Sequence, residues 1–143
     1  MGHPDAVQPL RADPTTCQYA ASAYIDSFVS PRYADVLVAN DSAMLRALYA
    51  TLPQDASDAY IAALGNLEAM TAALNWYRAR MPQGRTTPLP LIGSVNVPTL
   101  YTWSDGDTAL CRDGAELTGN FVAAPYQFEV LAGDLAIDRV SRD

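Results

Sequence analysis

Leu67, Met70, Leu74, Tyr77 and Met81 recur at alternating spacings of three and four, the period of a single buried helix face. Asn66 stands before this stripe as an N-cap, and Glu68 in the first turn complements the helix dipole. Trp76 and Arg78 lie off the centre of the stripe. The same periodicity predicts almost continuous helix, with short breaks, over residues 4–81. Asp13-Pro14 reads as a helix start, a capping carboxylate followed by a proline whose missing N–H is harmless there. Its apolar stripe runs through Cys17, Ala21, Tyr24 and Phe28, and Ser30-Pro31 ends it, because proline disfavours a helical residue before it. A short helix is expected over 32–38, and Asn40-Asp41 caps another reaching Tyr49. Pro53 and Ser57 mark the start of the next, towards Tyr60 and Leu64.

Residues 82–96 change character, with three prolines, two glycines and little periodicity, and read as a linker. Val97 to Trp103 is apolar and β-prone, a buried strand with Pro98 near its start, where a missing donor can be spared. Ser104-Asp105-Gly106-Asp107 turns off the strand end, residues 109–120 look helical, and Phe128-Glu129-Val130-Leu131 is a second strand. Strand, helix, strand implies a parallel pair. Two such strands leave both long edges unpaired, and their apolar character predicts cover on both faces. Something further should complete this sheet.

Composition narrows the function classes. The 143 residues suit one domain or part of one; half are hydrophobic and 17% charged, as in a globular chain. Sixteen acidic residues face nine basic ones, all arginine and none clustered, for a net charge of −7. Nucleic-acid binding therefore has no electrostatic footing, and a solvated acidic surface is expected. No apolar run approaches the ~20 residues of a membrane span, and the N-terminus lacks the features of a signal peptide. Cys17 and Cys111 have no metal-type spacing. They are expected as reduced packing residues of a cytoplasmic protein, although sequence leaves a disulfide open. Two carboxylates in Asp105-Gly106-Asp107 are too few for a calcium loop, and no metal or cofactor is expected.

Leu74-Asn75-Trp76-Tyr77-Arg78-Ala79, Val97-Pro98-Thr99-Leu100-Tyr101, Asp105-Gly106-Asp107 and Pro125-Tyr126-Gln127-Phe128-Glu129-Val130-Leu131 follow one another in an order that resembles the second half of an α/β-hydrolase. The epoxide-hydrolase-like subgroup is the most similar, and the likeness covers roughly residues 3–133. It implies a partial α/β-hydrolase fold: a helical cap, then a small two-strand parallel β-α-β remnant of the main sheet. The expected divisions are 1–81 for the cap and returning helix, 82–96 for the linker and 97–143 for the strand-helix-strand part.

The resemblance also implies roles. In such enzymes a carboxylate attacks an epoxide, a histidine activates the water that hydrolyses the ester, and a second acid orients the histidine. Asp107 matches that second acid, with Asp105 as a solvated turn residue. Tyr24 and Tyr60 match the two tyrosines that donate hydrogen bonds to the epoxide oxygen. The base position falls on Ala136, whose methyl group carries no proton. No glycine-x-nucleophile-x-glycine string occurs in the sequence, and the oxyanion loop is missing too. The only histidine, His3, is expected to be exposed or capping. Residues 134–143 depart from the family after a good match up to Gly133, as a truncation or frameshift would produce. The expectation is a truncated hydrolase, inactive alone, whose relatives take a small apolar epoxide or ester. The alternatives are a non-catalytic binding or assembly module, or one piece of a split hydrolase. Partners would then be another copy of the chain or a complementing hydrolase chain, with neither nucleic acid nor membrane.

Overall fold

The computed structural model describes residues 2–133, so Ala136 and the departing tail lie outside the described residues. The architecture is mixed α/β, with a two-strand parallel sheet. Backbone contacts divide the chain into two units, one of residues 25–84 and one joining 2–24 to 85–133. The first 24 residues, expected in the cap, thus group with the strands. The physical reason is a set of polar and covalent links described below.

The 25–84 unit is helical. Helix α3 (Tyr24–Val29) starts at its boundary, followed by α4 (Tyr33–Leu48), α5 (Gln54–Leu64) and α6 (Leu67–Arg80). Asn66 caps α6 as expected, its side-chain oxygen accepting from the Ala69 N–H at 2.9 Å. Met70 and Leu74 are buried with Ala34, Leu37 and Leu45, and Phe28, Tyr33, Ile61 and Leu64 pack around them. Leu67, the expected start of the stripe, is instead 48% exposed, since the first turn overhangs this core. Phe28 meets Tyr77 edge-on at 4.9 Å, and the Arg78 guanidinium donates to the Ser30 carbonyl at 2.9 Å. Tyr77 and Arg78 thus brace the α3–α4 turn.

Within α4 the helical backbone breaks where Asn40-Asp41 marked a boundary. Ala39 is extended, and Asn40, Asp41 and Ser42 are left-handed, with φ of 51°, 54° and 56°. Asn and Asp tolerate this region better than most L-residues, which explains the first two positions. Ser42 is buried and its hydroxyl donates to the Gly65 carbonyl at 3.3 Å. Arg46 closes the turn, its Nε on the Asp41 carbonyl at 2.9 Å.

In the other unit, α1 (Pro4–Ala12) and α2 (Cys17–Ala21) pack with β1 (Thr99–Ser104), α7 (Arg112–Leu117) and β2 (Tyr126–Leu131). The helix expected to run from Asp13 through Phe28 is two helices. Asp13 does not cap; its carboxylate takes the Thr15 N–H at 2.9 Å and hydroxyl at 2.7 Å, a local turn. Thr16 caps α2 instead, accepting from the Tyr19 N–H at 3.2 Å. His3 caps α1 through Nδ1, which accepts from the Asp5 N–H at 3.2 Å. It is buried, stacked on Phe121 at 4.8 Å, so of its two expected states the capping one holds.

Polar side chains of α1 pin the linker. The Asp5 carboxylate accepts from the N–H groups of Ile92 and Gly93 at 3.1 and 2.9 Å. Gln8 accepts from the Leu89 N–H at 2.9 Å. Gly93 sits at φ +78°, a conformation that favours glycine. Cys17 and Cys111 are joined in a disulfide, which corrects the expectation of reduced thiols. It closes a sequence separation of 94 residues, for which chain entropy implies about 4–5 kcal/mol of stabilisation.

The strands pair in parallel as expected, Thr99 opposite Tyr126 through Ser104 opposite Leu131. An isolated parallel bridge between Val95 and Val122 keeps the same register, so Pro98 stands opposite Pro125 in one interrupted ladder. Thr99 donates to the Pro125 carbonyl at 2.9 Å and Ala123 to Val95 at 2.8 Å. The alternation places the Pro125 nitrogen towards Val97, whose carbonyl takes the Thr99 hydroxyl instead at 2.9 Å. The Pro98 nitrogen faces the outer edge, where no ladder partner is lost.

One face of the pair is covered: Trp103, Leu110 and Ala115 are buried with Val7, Tyr101 and Phe128 against them. The other face is open among the described residues, Leu100 being 60% and Leu131 49% exposed. Cover on both faces was expected, and neither outer edge carries a further strand among these residues.

Candidate functional site

The carboxyl ends of β1 and β2 are tied together by Ser104-Asp105-Gly106-Asp107 and Gly133. The buried Ser104 hydroxyl donates to the Gly133 carbonyl and accepts from the Gly106 N–H. The Asp105 carboxylate accepts from the Gly133 N–H at 2.8 Å, and its own N–H reaches the Leu131 carbonyl at 3.1 Å. Asp105, expected as a merely solvated turn residue, therefore joins the two strand tips. Nothing about an exposed Asp beside glycine announces this, since the partner lies 28 residues away.

Asp107 occupies the expected place, just beyond β1. Its Oδ1 accepts from the N–H groups of Ala109 and Leu110 at 2.8 and 2.9 Å, which shapes the descent into α7. Among the described residues Oδ2 is uncommitted, so one oxygen remains for another donor. Tyr101 lies within the reach of this charge. Burial, then the Asp107 carboxylate, then Tyr126 push the Tyr101 hydroxyl up to about 12. Tyr101 is stacked on Phe128 at 5.6 Å, and holds its proton through neutral pH.

The tyrosines matched to epoxide activation fall in different units. Tyr24 ends the 2–24 segment and is 37% exposed at the start of α3. Tyr60 lies on α5, 41% exposed and stacked on Tyr49 at 5.1 Å. Each therefore has accessible surface, and the Tyr60 ring is positioned by an aromatic neighbour.

Sequence reasoning missed Gln18, which is 2% exposed. Its Nε2 donates to the Ala109 carbonyl at 2.9 Å and the Ser22 hydroxyl at 2.8 Å, while Oε1 accepts from the Cys111 N–H at 3.0 Å. One amide thus satisfies three polar groups around the Asp107 loop. A lone glutamine beside a cysteine carries no pattern that would have revealed it.

A shallow groove of about 440 Å³ is lined by Pro98, Thr99, Leu100, Pro125, Tyr126 and Gln127. It opens at the proline gap, the opposite end of the strands from Asp107. The groove suits an apolar group and offers no acid–base pair. Among the described residues no three His, Cys, Asp or Glu side chains converge as metal ligands. No helix among them is long and apolar enough to cross a membrane. Compared with known proteins, the chain matches no family model, and no curated protein matches it.

Proposed function

We propose that the chain supplies the helical cap and closing strand-helix-strand part of an epoxide-hydrolase-like α/β-hydrolase, and that these residues alone do not turn over substrate. The observation that carries this reading is the position of Asp107. It follows the carboxyl end of β1 in a parallel β-α-β unit, the end at which open α/β sheets bind ligands. In this reading Asp107 keeps the place of the orienting acid, while the base position falls on Ala136, whose methyl group carries no proton. The resemblance implies for Tyr24 and for Tyr60, each taken by itself, a hydrogen bond to the oxygen of a small apolar epoxide, or to an ester carbonyl, as negative charge develops. No nucleophile elbow and no second histidine occur in the sequence, and His3 is committed to capping α1. Losing a triad member removes several orders of magnitude of rate, which is why these residues alone are read as inactive. In the cytoplasm, the expected location, a disulfide such as Cys17–Cys111 is transient and redox-responsive as a rule.

The test is to present the purified chain with an aryl epoxide and an aryl ester. Hydrolysis at the uncatalysed rate is expected, together with saturable binding of the diol that weakens in Tyr24→Phe and Tyr60→Phe. Turnover abolished by Asp107→Asn would overturn the claim of inactivity, and no diol binding would remove the epoxide reading.

A second reading is a non-catalytic assembly module, supported by the open face at Leu100 and Leu131 and the unpaired sheet edges. Light scattering separates the two. A stable monomer with cooperative unfolding favours a self-sufficient module, whereas aggregation or a molten state favours the hydrolase piece.

A further inference from the structure

We propose that Cys17–Cys111 is a reversible redox latch that sets the order of the Asp107 loop. Four observations within one unit carry this. The bond is a covalent cross-link between residues 2–24 and 85–133. Cys17 is an exposed residue and Cys111 a half-buried one, so the bond lies at the surface of the unit and not in its core. At one end stands α2, five residues long, too short to persist as a helix without an anchor. At the other end Cys111 directly follows Ala109 and Leu110, the two residues whose N–H groups the Asp107 carboxylate holds.

With the bond intact, α2 presents Gln18 to the loop. Gln18 in turn holds the Ala109 carbonyl and the Cys111 N–H. With the bond cut, this single amide is what ties α2 to the loop, while α2 also rests on α1 and on Arg85, which donates to the Tyr19 carbonyl at 2.9 Å and lies over its ring. The rest of the unit keeps its own supports, namely Trp103 and Ala115 with Val7, Tyr101 and Phe128 packed against them, and the pinning of the linker by Asp5 and Gln8. Opening is therefore local to α2 and the 107–111 segment.

The chemistry balances with a soluble dithiol as reductant. One thiolate attacks Cys17 Sγ, the protein S–S bond breaks, and Cys111 leaves as a thiolate. The second thiol of the reductant then attacks the mixed disulfide and expels the Cys17 thiolate. Two electrons and two protons pass to the protein, and the reductant ends as a cyclic disulfide. This inference does not depend on the hydrolase reading, because its readout is amide exchange and not turnover.

The experiment compares the oxidised chain, the chain reduced by excess dithiol, and the reoxidised chain, by thiol titration and residue-resolved hydrogen exchange. Cys17→Ser serves as the variant locked open. Reduction is expected to raise exchange at Ala109, Leu110, Cys111 and the α2 amides on the order of tenfold or more. The α6 amides of Met70 and Leu74 accelerate less than those of α2 and the 107–111 segment, reoxidation restores the original rates, and Cys17→Ser matches the reduced chain. Two free thiols in the untreated protein would overturn the latch. So would exchange that is unchanged on reduction. Acceleration spread evenly over the chain, or global unfolding of both the reduced chain and Cys17→Ser, would show a simple staple and equally overturn it.

Discussion

Gln18 accepts the Cys111 N–H at 3.0 Å, one residue along from the disulfide partner of that same cysteine. Covalent and hydrogen-bonded links thus run side by side between α2 and the Asp107 loop. Gln18→Leu keeps the volume but strands the Ala109 carbonyl and the Cys111 N–H in a buried site. A loss of about 2–3 kcal/mol is expected in denaturant unfolding, with the slope unchanged. A loss under ~0.5 kcal/mol would mean that water satisfies these groups.

The buried stripe of α6 makes a sharper claim about the helical unit. Leu74→Ala should cost about 2–5 kcal/mol, through lost transfer energy and the cavity left behind. Leu67→Ala, on the exposed first turn, should stay within about 0.5 kcal/mol. Equal losses at the two positions would contradict the observed burial.

At the break in α4, Asn40 is exposed and left-handed. Asn40→Gly is expected to be near neutral, relief of strain offsetting the greater freedom of the unfolded chain. Asn40→Val, β-branched at positive φ, should lose more than about 1 kcal/mol by thermal unfolding. Tolerance of valine would place the turn in another conformation.

Alkaline titration tests the neighbourhood of Asp107. Tyr101 has its folded value raised to about 12, so its contribution to stability is complete below pH 10. That contribution is lost as pH rises from 10 through about 12. Ultraviolet absorbance should show Tyr101→Phe removing a late-titrating tyrosine. Asp107→Asn should bring this titration to lower pH, because it deletes a repelling charge. An unchanged titration in Asp107→Asn would place the two groups farther apart.

Acid tests the linker clamp with the opposite sign. Burial raises the Asp5 carboxyl, but the Gly93 and Ile92 amides and His3 outweigh it, and the value lies below the ordinary 3.8. The contribution is present above pH 3.8 and is lost as pH falls through the depressed folded value. Asp13, lowered by the backbone and hydroxyl of Thr15, adds in the same sense. Asp5→Asn should flatten the stability profile below pH 4, measured by denaturant midpoints. A profile as steep as that of the unsubstituted chain would remove Asp5 from this role.

Local pattern by itself determined the α6 stripe, the Asn66 cap, the break at Asn40-Asp41, the parallel strand pair and the position of Asp107 beyond β1. Each depends on neighbours within a few residues or on an alternation that every strand obeys. Tertiary structure decided the rest. Gln18, Asp5 and Asp105 find partners 93, 87 and 28 residues away, and Cys17 pairs across 94. No local spacing encodes such distances. Asp13 and Thr16 show the same limit at short range, since both are good caps and the loop geometry chose between them. The grouping of 2–24 with the strands follows from those long-range bonds, because a chain segment belongs with the partners that satisfy its polar groups and not with its sequence neighbours.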